Sequence, residues 1–166
     1  DLKSKLDLDV AGLMLTQPNT LGLFEDQIEE ISNLVHGVDG IMYMDGANLN
    51  AIVGLCKPAD MGFDIVHMNL HKTFSTPHGG GGPGSGPIAV TKSLAGFLPK
   101  PRLNKTKFNK YSWDFDMQNS VGHLHPFYGN FSILVRSYIY IKTLGDVGLK
   151  SMSKSAIINA NYLKNK

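Results

Sequence analysis

The chain of 166 residues contains a single cysteine, Cys56. No intrachain disulfide bond can therefore form, and one thiol is typical of a protein in a reducing compartment. No apolar run of about 18 residues occurs, so we expect no membrane-spanning segment. Charged residues make up 18% of the chain, and the formal net charge is +2. This balance gives no indication of a nucleic-acid or membrane-surface role.

The chain also lacks a starting methionine. Its first residues, Asp1-Leu2-Lys3-Ser4, do not resemble a signal peptide. Its last residues contain no glycine or proline that would end a helix. We therefore expect the chain to be a fragment of a longer protein.

Short apolar runs alternate with segments of helical periodicity along the first half of the chain. The runs predict four strands, at residues 10–16, 41–44, 65–69 and 87–91. The segments between the first three runs predict helices at residues 24–36, closed by Gly37, and 48–56. This alternation is typical of an α/β fold in which helices flank a mostly parallel sheet.

The second half of the chain differs in composition. Residues 92–110 hold six basic side chains and no acidic one. This segment is either a solvated surface loop or a docking surface for an acidic partner. Residues 129–144 are apolar nearly all round, which predicts a buried helix that stops at Gly145. A final helix is predicted from about residue 147 to the end.

Two polar residues follow the predicted strands at the positions where ligands gather in parallel sheets. Asp45 comes directly after one strand, and Lys72 follows the next strand along the chain. Lys72 is followed by a segment with six glycines among residues 79–86. A lysine at a strand end can hold a carbonyl cofactor such as pyridoxal phosphate, and a nearby carboxylate can pair with the pyridine nitrogen. Ala47 is small enough to lie flat against such a ring.

Residue spacing alone leaves other interpretations open. Lys72 is equally compatible with an ordinary surface lysine, and Asp45-Gly46 with an ordinary turn. The glycine run lacks the Gly-Lys-Ser/Thr ending of a phosphate-binding loop. His67 and His71 lie on a predicted strand, where a spacing of four does not form a helical zinc pair. His123 and His125 have no evident third ligand, so no metal site is expected.

A family resemblance is carried by residues 42–90. The block Asn69-Leu70-His71-Lys72-Thr73-Phe74, followed by Pro77-His78 and the glycine run, resembles the cofactor region of glycine decarboxylase, the P-protein of the glycine cleavage system. Residues 120–145 and 157–163 resemble later parts of the same family, notably the second subunit of the two-subunit bacterial form. The resemblance extends over nearly the whole chain.

The resemblance implies a type I pyridoxal-phosphate fold. Lys72 matches the lysine that forms the Schiff base, and Asp45 matches the aspartate that pairs with the pyridine nitrogen. Ala47 would pack on the ring, and His71 would reach the cofactor phosphate or its surroundings. Residues 1–125 would form part of the cofactor-binding large domain. Residues 126–166 would form helices that lead toward a small C-terminal domain.

The implied reaction is decarboxylation of glycine, with transfer of the aminomethyl group to the lipoyl arm of the H-protein carrier. A subunit-1 partner in a heterotetramer is expected, in the cytoplasm of a bacterium or the mitochondrial matrix of a eukaryote. We expect residues 79–86 to form a wall or lid that lets the lipoyl arm approach. The alternatives are another type I enzyme, such as an amino-acid decarboxylase or a cysteine desulfurase, and a non-catalytic subunit that keeps the fold. Because the family extends beyond both ends of the chain, we expect these residues alone to be inactive.

Overall fold

The computed structural model describes residues 1–81, 84–124 and 128–166. Within these residues the strands are β1 Gly12–Thr16, β2 Ile41–Gly46, β3 Ile65–Met68, β4 Ile88–Val90, β5 Arg102–Lys105 and β6 Tyr111–Asp114. The α-helices are α1 Ile28–His36, α2 Leu70–Thr73 and α3 Phe131–Lys164. Short 3-10 turns lie at Leu2–Ser4, Leu49–Ala51, Pro58–Met61, Gly79–Gly81 and Lys92–Phe97.

Backbone contacts divide the chain into two compact units. One consists of Asp1–Ala89 together with Gly129–Lys166, and the other consists of Val90–Tyr128. The first unit holds the hydrophobic core and all the candidate site residues. The proposed division of the chain into parts of a large and a small domain stays a prediction.

The main sheet has the strand order β1-β2-β3-β4, which follows the order of the chain. β1 pairs with β2 and β2 pairs with β3, both in parallel. The four strands predicted from the apolar runs are therefore confirmed, with ends shifted by no more than two residues. The prediction of an α/β fold with a mostly parallel sheet flanked by helices is also confirmed.

The two faces of the sheet differ in burial. Met42 and Met44 are fully buried on one face, where they belong to the core cluster. Tyr43 and Asp45 alternate with them and lie on the other face, which is only partly buried. On that same face Met14 of β1, opposite Tyr43, is 60% exposed. Polar side chains near the end of β2 therefore remain accessible.

The first helix begins later than its sequence pattern predicts. The pattern extends from residue 24, whereas α1 begins at Ile28. The reason lies in the buried side chain of Gln17, whose Oε1 accepts from the backbone N–H of Glu25 and whose Nε2 donates to the Glu25 carbonyl. The bond from Nε2 competes for the Glu25 carbonyl, which in a helix starting at residue 24 would accept from the backbone N–H of Glu29. The predicted closure at Gly37 is confirmed.

The predicted helix at residues 48–56 is wrong. Only Leu49–Ala51 forms a 3-10 turn, and the residues after it form further turns. Gly54 has a φ of +73°, which is outside the helical range and ends any helical path. The buried side chains of Leu49 and Ile52 still join the core, so the apolar spacing reflects packing without a helix.

The long C-terminal helix α3 is interrupted at the predicted place. Gly145 has φ +60° and ψ −171°, which are not helical values, and the helix resumes beyond it. Asn130 caps the first turn by accepting from the backbone N–H of Ile133. The first half of α3 is not buried all round, because Phe131, Tyr138 and Ile139 are each more than half exposed. The prediction of a buried helix is therefore correct only for the face that includes Ile133.

The unit Val90–Tyr128 contains the basic segment. Strands β5 and β6 pair in antiparallel fashion, with Arg102 opposite Asp114 and Lys105 opposite Tyr111. The interpretation of residues 92–110 as a solvated surface loop is therefore wrong for the four residues of β5, which form a strand. Docking of an acidic partner stays a prediction. Across the described residues no helix is long and apolar enough to cross a membrane.

Candidate active site

Asp45 lies at the second-last position of β2, at the carboxyl end of the strand. Its Oδ1 atom accepts a 2.8 Å hydrogen bond from the backbone N–H of Ala47. This bond forms a tight turn in which a half-buried carboxylate faces the end of the sheet. Asp45 was predicted to lie just after the strand, whereas in the structure β2 extends to Gly46 and includes Asp45.

His67 of β3 lies directly opposite Asp45 in the parallel register. Its Nε2 atom is 3.2 Å from Oδ1 of Asp45. Its other ring nitrogen, Nδ1, lies 2.8 Å from the hydroxyl of Tyr43. Tyr43 precedes Asp45 by two residues on β2 and therefore lies on the same face of the sheet. The three side chains form a continuous polar chain across two strands.

Lys72 lies in the one-turn helix α2, four residues beyond the end of β3. The turn is fixed by Leu70 and Phe74, which are both buried in the core. Lys72 itself is exposed. Since β2 and β3 are hydrogen-bonded neighbours, Asp45 at the end of β2 and Lys72 just after β3 lie at the same edge of the sheet. Among the described residues no ion pair joins Lys72 to Asp45 or to another carboxylate.

His71 packs against a second histidine. Its ring centroid lies 4.6 Å from that of His78, and the two rings meet edge to face. Burial lowers the pKa of His71 below its ordinary value, and the positive charges of His78 and Lys72 act in the same direction. His71 is therefore favoured in its neutral form, in which one ring nitrogen can accept a proton.

Several buried polar atoms near Lys72 lack a hydrogen-bond partner within the described residues. They are Asn69 Oδ1, His71 Nδ1, Thr73 Oγ1 and Thr76 Oγ1. Buried polar groups are normally paired, so four such atoms within eight residues require an explanation. Ser75, between two of them, has a positive φ of 57°, a conformation that is uncommon outside glycine and recurs at functional sites.

The glycine-rich segment after Lys72 begins with the turn Gly79–Gly81. Gly79 and Gly80 have φ values of +60° and +69°, which a side chain would disfavour. Gly82 and Pro83 lie outside the described residues, and the wall or lid at residues 79–86 stays a prediction. His125 also lies outside them. Within the parts of the chain that the structure describes, no cluster of three or more potential metal ligands is found.

His67 and Tyr43 were not predicted as members of the site, and His67 was considered only as a metal ligand. A signal was present, because Tyr43 lies on the predicted strand at residues 41–44 and Asp45 directly follows it. If the strand continues by one residue, the two side chains share a face. The partner across the sheet could be found only from the register between β2 and β3.

The fold and these side chains define an α/β protein with a candidate active site at the carboxyl edge of a parallel sheet. No family model matches the chain. Curated proteins are nevertheless similar to it over almost its whole length. A protein of Caldanaerobacter subterraneus subsp. tengcongensis is 59% identical over 165 residues, which cover 99% of this chain and 34% of that protein.

Proteins of Chloroherpeton thalassium and Staphylococcus aureus are 57% and 56% identical, over 98% and 99% of this chain. They extend well beyond the match, which covers 34% and 33% of their lengths. All three are named probable glycine dehydrogenase (decarboxylating) subunit 2. The chain is therefore a homologue of these subunits and spans about a third of their length. The resemblance predicted from its residues is confirmed.

Proposed function

We propose that this chain forms the central part of the cofactor-binding domain of a glycine-decarboxylating enzyme that uses pyridoxal phosphate. The fold would be of the type I class of pyridoxal-phosphate enzymes. The observation that carries the proposal is the placement of Asp45 at the end of β2 and of Lys72 just after β3, the adjacent parallel strand, within a segment that shares 56–59% identity with glycine dehydrogenase subunits. The names of the relatives supply the substrate, glycine.

The residues present fit this cofactor. Lys72 offers an exposed amine on a turn that the core holds in place. Asp45 offers a carboxylate whose Oδ2 atom makes no hydrogen bond or ion pair among the described residues. The unpaired polar atoms of residues 69–76 are suited to a ligand with several polar groups.

In the proposed site Lys72 would hold the cofactor aldehyde and Asp45 would pair with the pyridine nitrogen. Ala47 would pack on the ring, and His71 would lie near the phosphate. When bound, pyridoxal phosphate withdraws electrons through its ring, so that glycine can lose its carboxylate as carbon dioxide. The carboxylate of Asp45 would favour the protonated form of the ring nitrogen, and this would strengthen that withdrawal. The neutral form of His71 provides a proton acceptor beside Lys72.

We further propose that the aminomethyl group passes to the lipoyl arm of an H-protein carrier. The relatives are named subunit 2, which supports the existence of a partner subunit 1. Because the chain spans about a third of its relatives, we expect activity only when the remaining parts of the subunit and its partner are present.

A hybrid subunit provides the test. Residues 1–166 replace the aligned third of the Staphylococcus aureus protein, and the hybrid is mixed with pyridoxal phosphate and treated with borohydride to fix any bound cofactor. For the exchange assay the untreated hybrid is combined with subunit 1 and the H-protein of the same organism. We expect mass spectrometry of the digested protein to find the cofactor on Lys72. Substitution Lys72→Ala should abolish this label and lower glycine–bicarbonate exchange by at least about 10³-fold, as removal of a covalent catalytic group does.

The matched control is Lys57→Ala, because Lys57 is an exposed lysine of the same structural unit. This variant should retain both the label and the exchange activity. A label distributed over several lysines, with no loss in Lys72→Ala, would contradict the proposal. A label at Lys72 without any exchange activity would instead indicate a cofactor-binding subunit that lacks catalysis.

A further inference from the structure

Asp45 has a neighbour whose role the proposed cofactor contacts do not explain. His67 lies opposite it in the β2–β3 register, with Nε2 3.2 Å from Oδ1 of the carboxylate. The two side chains are 21% and 31% exposed, so neither is fully solvated. At 3.2 Å the two atoms are within ion-pair distance and make a close polar contact.

Asp45 and Tyr43 together determine which nitrogen of His67 carries the proton. An ionised carboxylate can only accept hydrogen bonds, so a neutral imidazole that faces Asp45 must present its N–H at Nε2. Nδ1 is then an acceptor, and the Tyr43 hydroxyl, 2.8 Å away, must donate to it. Burial and the negative charge of Asp45 both raise the pKa of Tyr43 above its ordinary value. Tyr43 therefore keeps the proton that this arrangement requires.

The chain of contacts also determines which oxygen of Asp45 remains available. Oδ1 accepts from the backbone N–H of Ala47 and lies against His67. Oδ2 has no partner among the described residues. Because Oδ1 has contacts on two sides, the carboxylate of Asp45 cannot rotate freely, and Oδ2 keeps a fixed direction.

We propose that His67 is a positioning residue that holds Asp45 through Nε2–H, and that Tyr43 fixes the required tautomer of His67. This inference rests on the proposed function, since Asp45 is positioned toward the pyridine nitrogen of the cofactor. The three side chains meet because β2 pairs with β3. Tyr43 and Asp45 are two residues apart on β2, and His67 lies opposite Asp45 on β3.

The first experiment tests the polar chain without any cofactor. The 166-residue chain, labelled with ¹⁵N in its histidine rings, is studied by NMR at neutral pH. We expect the proton of His67 on Nε2 and none on Nδ1. In Tyr43→Phe the Nδ1 partner is lost, and a mixture of both tautomers should appear. A proton on Nδ1 in the unaltered chain would overturn the inference, whatever the outcome of the cofactor-labelling experiment.

The second experiment measures the dissociation constant of pyridoxal phosphate in the hybrid subunit. His67→Leu removes the donor and should raise the constant about tenfold, as expected for loss of one hydrogen bond to a charged group. His67→Gln keeps an N–H near the position of Nε2 and should recover most of the affinity. A structural role alone would not distinguish these two variants at equal stability.

The protein contains a matched control in a second histidine–aspartate pair. His36 Nε2 lies 2.8 Å from Oδ2 of Asp64, which precedes β3 at the opposite end of the strand. His36→Leu should therefore leave the cofactor affinity unchanged, even where it lowers the free energy of unfolding. Equal affinities in His67→Leu and the unaltered hybrid would overturn the inference while leaving the label at Lys72, and hence the proposed function, intact.

Discussion

At the scale of single residues, His71 shows how the site changes the proton affinity of a side chain. Its pKa is lowered by burial first, and then by His78 and Lys72. The unfolded chain, with an ordinary value of about 6.5, therefore binds this proton more tightly than the folded chain does. The contribution of His71 to stability is fully present above about pH 6.5 and is lost as the pH falls through the folded pKa.

This perturbation can be measured directly. An NMR titration of the His71 ring protons should give a pKa below the ordinary histidine value. His78→Ala removes the second of the three causes, so the pKa of His71 should rise toward the ordinary value in that variant. If His71 titrates at or above the ordinary value in the unaltered chain, the neutral His71 described for the site is wrong.

At the scale of helices and strands, Gly145 determines the path of α3. Its φ of +60° with a ψ of −171° belongs to a region that is essentially restricted to glycine. Gly145→Ala should therefore lower the free energy of unfolding by about 1–3 kcal/mol, the usual cost of holding a residue there. Urea unfolding measures the difference.

The control for this prediction is Ser155→Ala, an exposed position in the regular part of α3. Alanine favours helices, so this variant should be as stable as the unaltered chain or slightly more stable. If Gly145→Ala behaves in the same way, α3 passes through residue 145 as a regular helix.

The elements that the sequence predicted well depend on local patterns. The four strands of the main sheet are short apolar runs bounded by turns, and their composition alone identifies them. The predictions that were wrong depend on contacts between residues that are distant in sequence. The helix α1 starts later than predicted because Gln17 forms hydrogen bonds with Glu25. The pairing of β5 with β6 was not predicted, because the basic composition of residues 92–110 gives no strand pattern.

The same distinction applies to the candidate site. Asp45 and Lys72 could be predicted because each follows a recognisable strand, and the carboxyl ends of neighbouring parallel strands share an edge. His67 could not be assigned to Asp45, because that contact depends on the register between β2 and β3. A shift by one residue would have placed His67 on the other face of the sheet.

At the scale of the whole molecule, residues far apart in sequence hold the first unit together. Ser153 of α3 is fully buried, and its hydroxyl donates a 2.8 Å hydrogen bond to the carbonyl of Val53, 100 positions earlier in the chain. Ser153→Ala leaves that carbonyl without its partner. The free energy of unfolding should fall by about 1 kcal/mol, the usual net value of such a bond.

Urea unfolding of Ser151→Ala provides the comparison, because Ser151 lies in the same helix and is exposed. We expect a change close to zero for that variant. Equal stabilities of the Ser151 and Ser153 variants would mean that α3 is held to the unit by apolar contacts alone.

Asp64 and Asp45 hold β2 and β3 together at opposite ends. Oδ2 of Asp64 accepts from the backbone N–H of Met42, and Oδ1 of Asp45 lies against His67. If β3 paired with β2 one residue out of step, both contacts would be lost and an imidazole would be driven among the buried methionines. Molecules with misaligned strands are therefore destabilised in two ways. The polar chain of Tyr43, His67 and Asp45 forms only in molecules whose strands have paired correctly.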